Sequence, residues 1–339
     1  MKHAGLYACE QREDVFLVRQ RILLLNTSPT TGDNQMRVGF IGLGAMGLHM
    51  CTNLARSFEQ VLAYDASDAA RTSARDNGVY VVPLVDHLQD LDVLVTMLPD
   101  GGIVRECLLG KEGARAPVEH MMRKGGVVVD MSSSSPLDSQ RLAADLAHFG
   151  LSFSDAPVSG SVPKAKSATL AIMVGASEEV YLKIEPVLRA MGTELIRTGD
   201  VGTAHTMKTL NNYVYAAGLL AATEAMMIGE RMGLDLDRLV DVFNSSSGRN
   251  VATETKLRQH MIKDGQLGEG DLKGGFGLHL MAKDLGIGSG LKERTGFAPE
   301  QIAQCHRIWQ DAAQALPKGA DNLEILSYLR ERYSSEQGA

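Results

Sequence analysis

Hydrophobic positions along this chain follow two periodicities in succession. Between Met36 and about Arg197, apolar runs at Val61–Tyr64, 93–98 and 127–131 alternate with segments such as 69–77 and 102–109, whose apolar residues recur at helical spacing. Runs without polar alternation read as strands buried on both faces, and their alternation with helices predicts parallel βαβ units. Shorter strands are expected at 151–153 and 170–174. From Thr203 the pattern turns helical, beginning with a segment to Met232 that carries Leu210, Val214, Leu219, Leu220, Met226 and Met227. That segment is too long and too apolar for a surface helix, so it should join two domains and form the spine of the second. Further helices are expected at 236–244, 250–263, 278–292, 299–315 and 323–332, with a glycine-rich break at 265–277.

The first strand leads into the most specific local signal. Val38, Phe40 and Ile41 run directly into Gly42-x-Gly44-Ala45-Met46-Gly47, and Met50, Leu54 and Phe58 then continue at helical spacing. A strand, a tight glycine turn and a helix start make a phosphate cradle: Gly42 permits the turn, Gly44 lets backbone approach a pyrophosphate, and Gly47 allows close helix–strand contact. Asp65 ends the next apolar run, 23 positions after Gly42, near the ~20 at which an acid takes the adenosine ribose hydroxyls. The fold class is therefore α/β, a Rossmann doubly wound parallel sheet followed by an all-α C-terminal domain. The expected layout is an N-terminal extension at 1–35, a dinucleotide-binding domain at 36–198 and an all-α substrate and oligomerisation domain at 199–335. Residues 1–35 mix apolar stretches with Arg19, Arg21, Glu10, Glu13 and Asp14, match neither a secretory signal nor a transit peptide, and are expected to be poorly ordered.

Composition narrows the class. A net charge of −7 over 339 residues argues against nucleic-acid and anionic-membrane partners, and no apolar run reaches the ~18 residues of a membrane span. The cysteines Cys9, Cys51, Cys107 and Cys305 form no metal-ligand spacing and read as reduced thiols of a cytoplasmic protein. No metal site is expected.

Candidate chemistry gathers at strand ends and on the long helix. Leu98-Pro99 and the turn Asp130 to Pro136, with its four serines at 132–135, end two of the strands and should face the cofactor, although serines also simply cap helices. In the loop that opens at Asp155, Ser159 and Gly160 suit a carboxylate, or the prolines merely stiffen a surface loop. Lys208 and Asn212 lie four apart on one helical face. A lysine at a domain junction is a candidate acid/base, because burial and a nearby cation lower its pKa. The same lysine reads as a snorkelling surface residue, Asn211-Asn212 as a helix irregularity, and Lys283-Asp284 as an exposed charge pair.

Taken in order, RVGFIGLGAMG, Leu98-Pro99, Asp130-x-Ser132-Ser133-x-x-Pro136, DAPVSG with Thr169-Leu170, Gly199-x-x-Gly202 before Lys208-x-x-Asn211-Asn212, and Leu280-x-x-Lys283-Asp284 resemble the β-hydroxyacid dehydrogenases. That family includes 3-hydroxyisobutyrate dehydrogenase and tartronate semialdehyde (2-hydroxy-3-oxopropionate) reductase. The resemblance spans about Met36 to Tyr333. It implies an NAD(P)-dependent oxidoreductase interconverting a short 3-hydroxy acid and its semialdehyde. It further implies Lys208 as catalytic acid/base, and Ser159, Gly160, Ser161, Asn211 and Asn212 around a small carboxylic-acid substrate. Gly42, Gly44, Ala45, Met46, Gly47, Asp65, Leu98, Pro99 and Ser133 would contact the dinucleotide, with Lys283 reaching it from the helical domain. Three departures stand out: Ser161 replaces the second glycine of an SGG loop, a serine near Ser133 replaces a threonine, and Ala168 replaces the glycine of Gly-Thr-Leu. VPKA at 162–165 resembles the tartronate semialdehyde reductases, whereas Asp65 followed by Ala66, with no adjacent cation, favours NAD over NADP. A homodimer or homotetramer is expected from the apolar surface of the long helix.

The competing readings are a 6-phosphogluconate-dehydrogenase-like decarboxylase, disfavoured by length and DAPVSG, and an imine reductase, disfavoured by Lys208. A redox-inactive dinucleotide sensor or scaffold is disfavoured by Lys208, Asn212, Ser159 and Lys283 standing together.

Overall fold

The computed structural model describes residues 36–111 and 115–335; the expectation for 1–35 lies outside them. A single sheet with helices between its strands occupies the first half. The strands β1 (Val38–Ile41), β2 (Val61–Tyr64), β3 (Leu91–Thr96), β4 (Met122–Asp130), β5 (Ser152–Asp155), β6 (Val158–Ser159), β7 (Leu170–Gly175) and β8 (Gly192–Gly199) form one sheet. Its order is β2-β1-β3-β4-β5-β7-β6, with β8 paired to β7. The helices threaded between them are α1 (Gly47–Ser57), α2 (Asp68–Asp76), α3 (Gly101–Leu109), α4 (Val118–Met121), α5 (Pro136–Ala147), α6 (Ser161–Lys166) and α7 (Glu178–Arg189).

Pairing is parallel from β2 through β5 and between β7 and β8, but β7 runs antiparallel to β5 and to β6. The sheet is thus mostly parallel, with its sense reversed at one edge. The apolar runs have a direct cause. In β1 and β3, Val38, Phe40, Val93 and Val95 enter one core and Ile41, Leu91 and Leu94 the core on the opposite face, so helices cover both sides.

α8 (Thr203–Arg231) follows β8 after three residues and carries the chain into the second half. There α9 (Leu236–Ser245), α10 (Val251–Thr255), α11 (Leu278–Gly290), α12 (Lys292–Thr295), α13 (Glu300–Ala315) and α14 (Ile325–Ser335) pack around a third core, in which Met226, Leu285 and the fully buried Trp309 meet. The helix expected over 250–263 is shorter. α10 ends at Thr255, a single wide turn of π type carries Leu257 and Met261 inward, and the short strands β9 (Ile262–Lys263) and β10 (Gln266–Leu267) form a hairpin. Leu257 and Met261 satisfy the apolar spacing of an α-helix without lying on one. The Asp155 segment is likewise more regular than a loop, being the end of β5, then β6 and α6.

Candidate active site

The glycine turn between β1 and α1 is a cradle that side chains would fill. A Cβ on Gly42, whose φ is 106°, would stand 2.2 Å from the Met97 carbonyl oxygen, and one on Gly47 only 1.8 Å from that of Gly42. Gly44 faces open space, with nothing within 4 Å. No side chain caps α1 and its first turn holds no acid, so the helix dipole there is left for an anion. These residues fit a pyrophosphate. Asp65 accepts 2.7 Å hydrogen bonds from Leu43 N and Ser67 N, tying the end of β2 to the turn. Arg71, in the first turn of α2, folds back so that its Nη1 donates to the Asp65 carbonyl at 2.5 Å and to that of Ala66 at 3.1 Å. The absence of an adjacent cation, read from Ala66, is thereby corrected: the helix start returns a cation from six positions on.

The serine turn after β4 divides its labour. Buried Asp130 accepts from Thr96 Oγ1, Ser132 N and Ser134 Oγ at 2.7–3.0 Å, while Ser132 Oγ accepts from Leu98 N at 2.9 Å. Ser135 is the N-cap of α5, with Pro136 in the first turn. Three serines are therefore architectural, and Ser133 remains with its hydroxyl uncommitted, beside Leu98-Pro99 as the turn brings them together.

Lys283, on α11, crosses to this turn. Its Nζ donates to the Pro99 carbonyl at 2.8 Å and to the Ser133 carbonyl at 3.0 Å. It is thus a bridge between the halves, and the exposed-pair reading of Lys283-Asp284 fails because Asp284 is 4% exposed.

On α8, half-buried Lys208 donates to the Val158 carbonyl at 2.9 Å, which sets it beside Ser159 and Gly160. Burial lowers its pKa from the ordinary 10.5, and Lys283 adds to that effect while Asp284 opposes it. Asn212 Nδ2 donates to Asp284 Oδ2 at 2.7 Å, and exposed Asn211 bonds only to Asn212, at 3.2 Å. Asp284 Oδ1 has no hydrogen bond and lies 3.8 Å from Lys283 Nζ. Burial pushes the Asp284 carboxyl above its usual range. Gly160 has φ 134° and a Cβ there would meet the Lys164 side chain at 2.5 Å; Ser161 holds φ 59°, a left-handed conformation that explains the glycine found there in the family pattern.

The sequence reading left one cluster without a role. Asp155, fully buried at the end of β5, accepts from Gly202 N at 2.7 Å and His205 N at 2.8 Å, and so caps α8 from the sheet. His205 sits one turn before Lys208, with Nδ1 2.8 Å from Ser139 Oγ and Nε2 3.0 Å from the Ser132 carbonyl. A carbonyl only accepts, so Nε2 carries a proton. The aspartate opening DAPVSG and the histidine before the lysine were the available signals, but only their meeting gives them a role.

The chain is similar to known proteins along most of its described length. Residues 37–199 match the family described as the NAD binding domain of 6-phosphogluconate dehydrogenase. Residues 202–329 match the family described as NAD-binding of NADP-dependent 3-hydroxyisobutyrate dehydrogenase. The chain is 35% identical over 256 residues to 2-(hydroxymethyl)glutarate dehydrogenase of Eubacterium barkeri, covering 75% of this chain and 82% of that protein. It is 34% identical over 295 residues to mitochondrial 3-hydroxyisobutyrate dehydrogenase of Bos taurus, covering 87% of each. Among solved structures, Mycobacterium tuberculosis 3-hydroxyisobutyrate dehydrogenase with L-serine superimposes with TM-score 0.78 at 30% identity, over 88% of this chain and all of that one.

Proposed function

The chain belongs to the β-hydroxyacid dehydrogenase family and is an NAD(P)-dependent hydroxyacid dehydrogenase; from that premise we propose that it oxidises the primary alcohol of a short 3-hydroxy acid, HOCH2–CHR–COO⁻, to the semialdehyde, and runs the reverse reduction. The two relatives named above act on acids of that form, differing in R. The observation that carries the reading is Lys208, half-buried against Val158 and beside Ser159–Gly160, with its pKa lowered by burial.

When bound, the dinucleotide supplies a nicotinamide that takes or gives a hydride. The protein's own residues do the rest. The substrate carboxylate rests on the Ser159–Gly160–Ser161 turn. Lys208 Nζ donates one N–H to the Val158 carbonyl; as the neutral amine it can take the proton of the substrate hydroxyl in oxidation, and as the ammonium it can return one to the forming alkoxide in reduction. Asn212, held by Asp284, orients the same oxygen. Gly42, Gly44, Ala45, Met46 and Gly47 would hold the pyrophosphate, Asp65 the adenosine ribose, and Leu98, Pro99 and Ser133 would line the rest of the dinucleotide site. Lys283, anchored at the Pro99 and Ser133 carbonyls, would reach the dinucleotide from the helical half with its remaining N–H.

Among the described residues no helix is long and apolar enough to cross a membrane. Met207, Leu210, Val214 and Ile228 are 47–69% exposed on one stripe of α8, repeating largely at sevens. A second copy of the chain covers that stripe in a homodimer or larger homo-oligomer, and light scattering on Val214→Glu against wild type tests it. The activity is tested by following reduced nicotinamide with 3-hydroxyisobutyrate, 2-(hydroxymethyl)glutarate, L-serine and D-glycerate. Turnover of at least one is expected, falling about 10²- to 10⁴-fold in Lys208→Ala; dinucleotide binding without any turnover would favour a redox-inactive sensor instead.

A further inference from the structure

We propose that Arg71 is a cofactor-specificity residue, the cation that lets this chain take a dinucleotide carrying a ribose 2′-phosphate as well as one without it. The proposal rests on the reading above that the end of β2 receives the adenosine ribose. Two edges of the guanidinium are put to different uses. The inner edge is fastened to main chain, Nη1 donating to the Asp65 and Ala66 carbonyls at 2.5 and 3.1 Å. The guanidinium carbon stands 5.6 Å from the Tyr64 ring centroid, and the side chain is only 14% exposed. The outer edge, Nη2, pairs with Asp68, whose side chain is 93% exposed. A fixed cation therefore has its outer edge paired with an exposed acid that can move aside at little cost.

Charge decides what this means for the ligand. Asp65 alone would repel a 2′-phosphate dianion. With Arg71 fastened behind the same two residues, that repulsion is offset, and the planar fork suits phosphate oxygens. Asp68 then competes with the phosphate for Nη2. Two substitutions should act with opposite sign: losing Arg71 removes the phosphate's partner, and neutralising Asp68 releases it. A purely structural Arg71, holding the β2–α2 turn, would weaken phosphorylated and unphosphorylated ligands alike.

The test is calorimetric binding of 2′-phosphoadenosine 5′-phosphate and of AMP to the full chain, alongside kcat/KM with NADP and NAD. Arg71→Gln is expected to weaken the 2′-phosphorylated ligand about tenfold relative to AMP, and Asp68→Asn to strengthen it about twofold. Equal weakening of both ligands by Arg71→Gln, or no change in their ratio in Asp68→Asn, overturns the proposal. Asp68 is exposed, so its arm stands even where Arg71→Gln folds poorly. Failure of wild type to bind AMP at all would refute the placement of adenosine at β2, a result separate from an unchanged ratio.

Discussion

Two neighbouring turns of α8 carry polar side chains between the same two halves of the molecule, and they are finished differently. Around His205 every polar group is answered: both ring nitrogens have partners and Asp155 takes two N–H groups at the helix start. Around Lys208 valences are left over. The ammonium makes one hydrogen bond, Asp284 Oδ1 makes none, and the neighbouring Ser161 is held at a φ of 59°. A buried polar network that is complete contributes stability, whereas groups left incomplete and backbone held under strain are kept where a ligand is to complete them.

The largest test of that contrast is to exchange losses between the turns. Lys208→Ala should lower kcat/KM about 10²- to 10⁴-fold, measured by reduced-nicotinamide absorbance, while leaving the melting temperature close to wild type. If thermal stability fell and the rate did not, the contrast would be inverted. Asp155→Ala should do the reverse in kind: it strips the cap from α8 and leaves its N–H groups buried, at a cost of about 2 kcal/mol or more in chemical denaturation. A melting temperature within a degree of wild type would show that Asp155 is not what holds the helix to the sheet.

A smaller effect reads the charge balance at Lys208. Its pKa is lowered by burial, so oxidation, which needs the neutral amine, should gain rate as pH rises to an inflection below 10.5, and reduction should lose rate across the same inflection. Asp284 opposes the lowering, so Asp284→Asn should move the inflection to still lower pH. Movement upward would mean that the carboxyl acts on Lys208 chiefly through something other than its charge. The smallest expected effect is at Ser161. Glycine there should relieve left-handed strain and stabilise the protein by about 1 kcal/mol, while admitting a bulkier group at the α-carbon of the substrate. A loss of stability would show that the serine side chain contributes more than its backbone costs.

What the sequence by itself determined is what local and periodic signals carry. The strand–glycine–helix turn at Gly42–Gly47, the doubly buried strands, the long helix from Thr203 and the pairing of Lys208 with Asn212 on one face all follow from spacings of a turn or a few, because steric rules for φ, helix periodicity and burial act within such distances. The same rules misread 250–263, where Leu257 and Met261 keep helical spacing on a turn that is not α-helical. Tertiary structure alone decided the rest. Asp155 meets His205 from 50 positions away, Lys283 meets Ser133 from 150, and Asp284 meets Asn212 from 72. Arg71 beside Asp65 is nearer in sequence, yet it too depends on how the turn into α2 folds back. Whether a lysine is a solvated charge or a poised base, and whether an acid stands alone or beside a cation, is set by desolvation and by neighbours that only packing brings together.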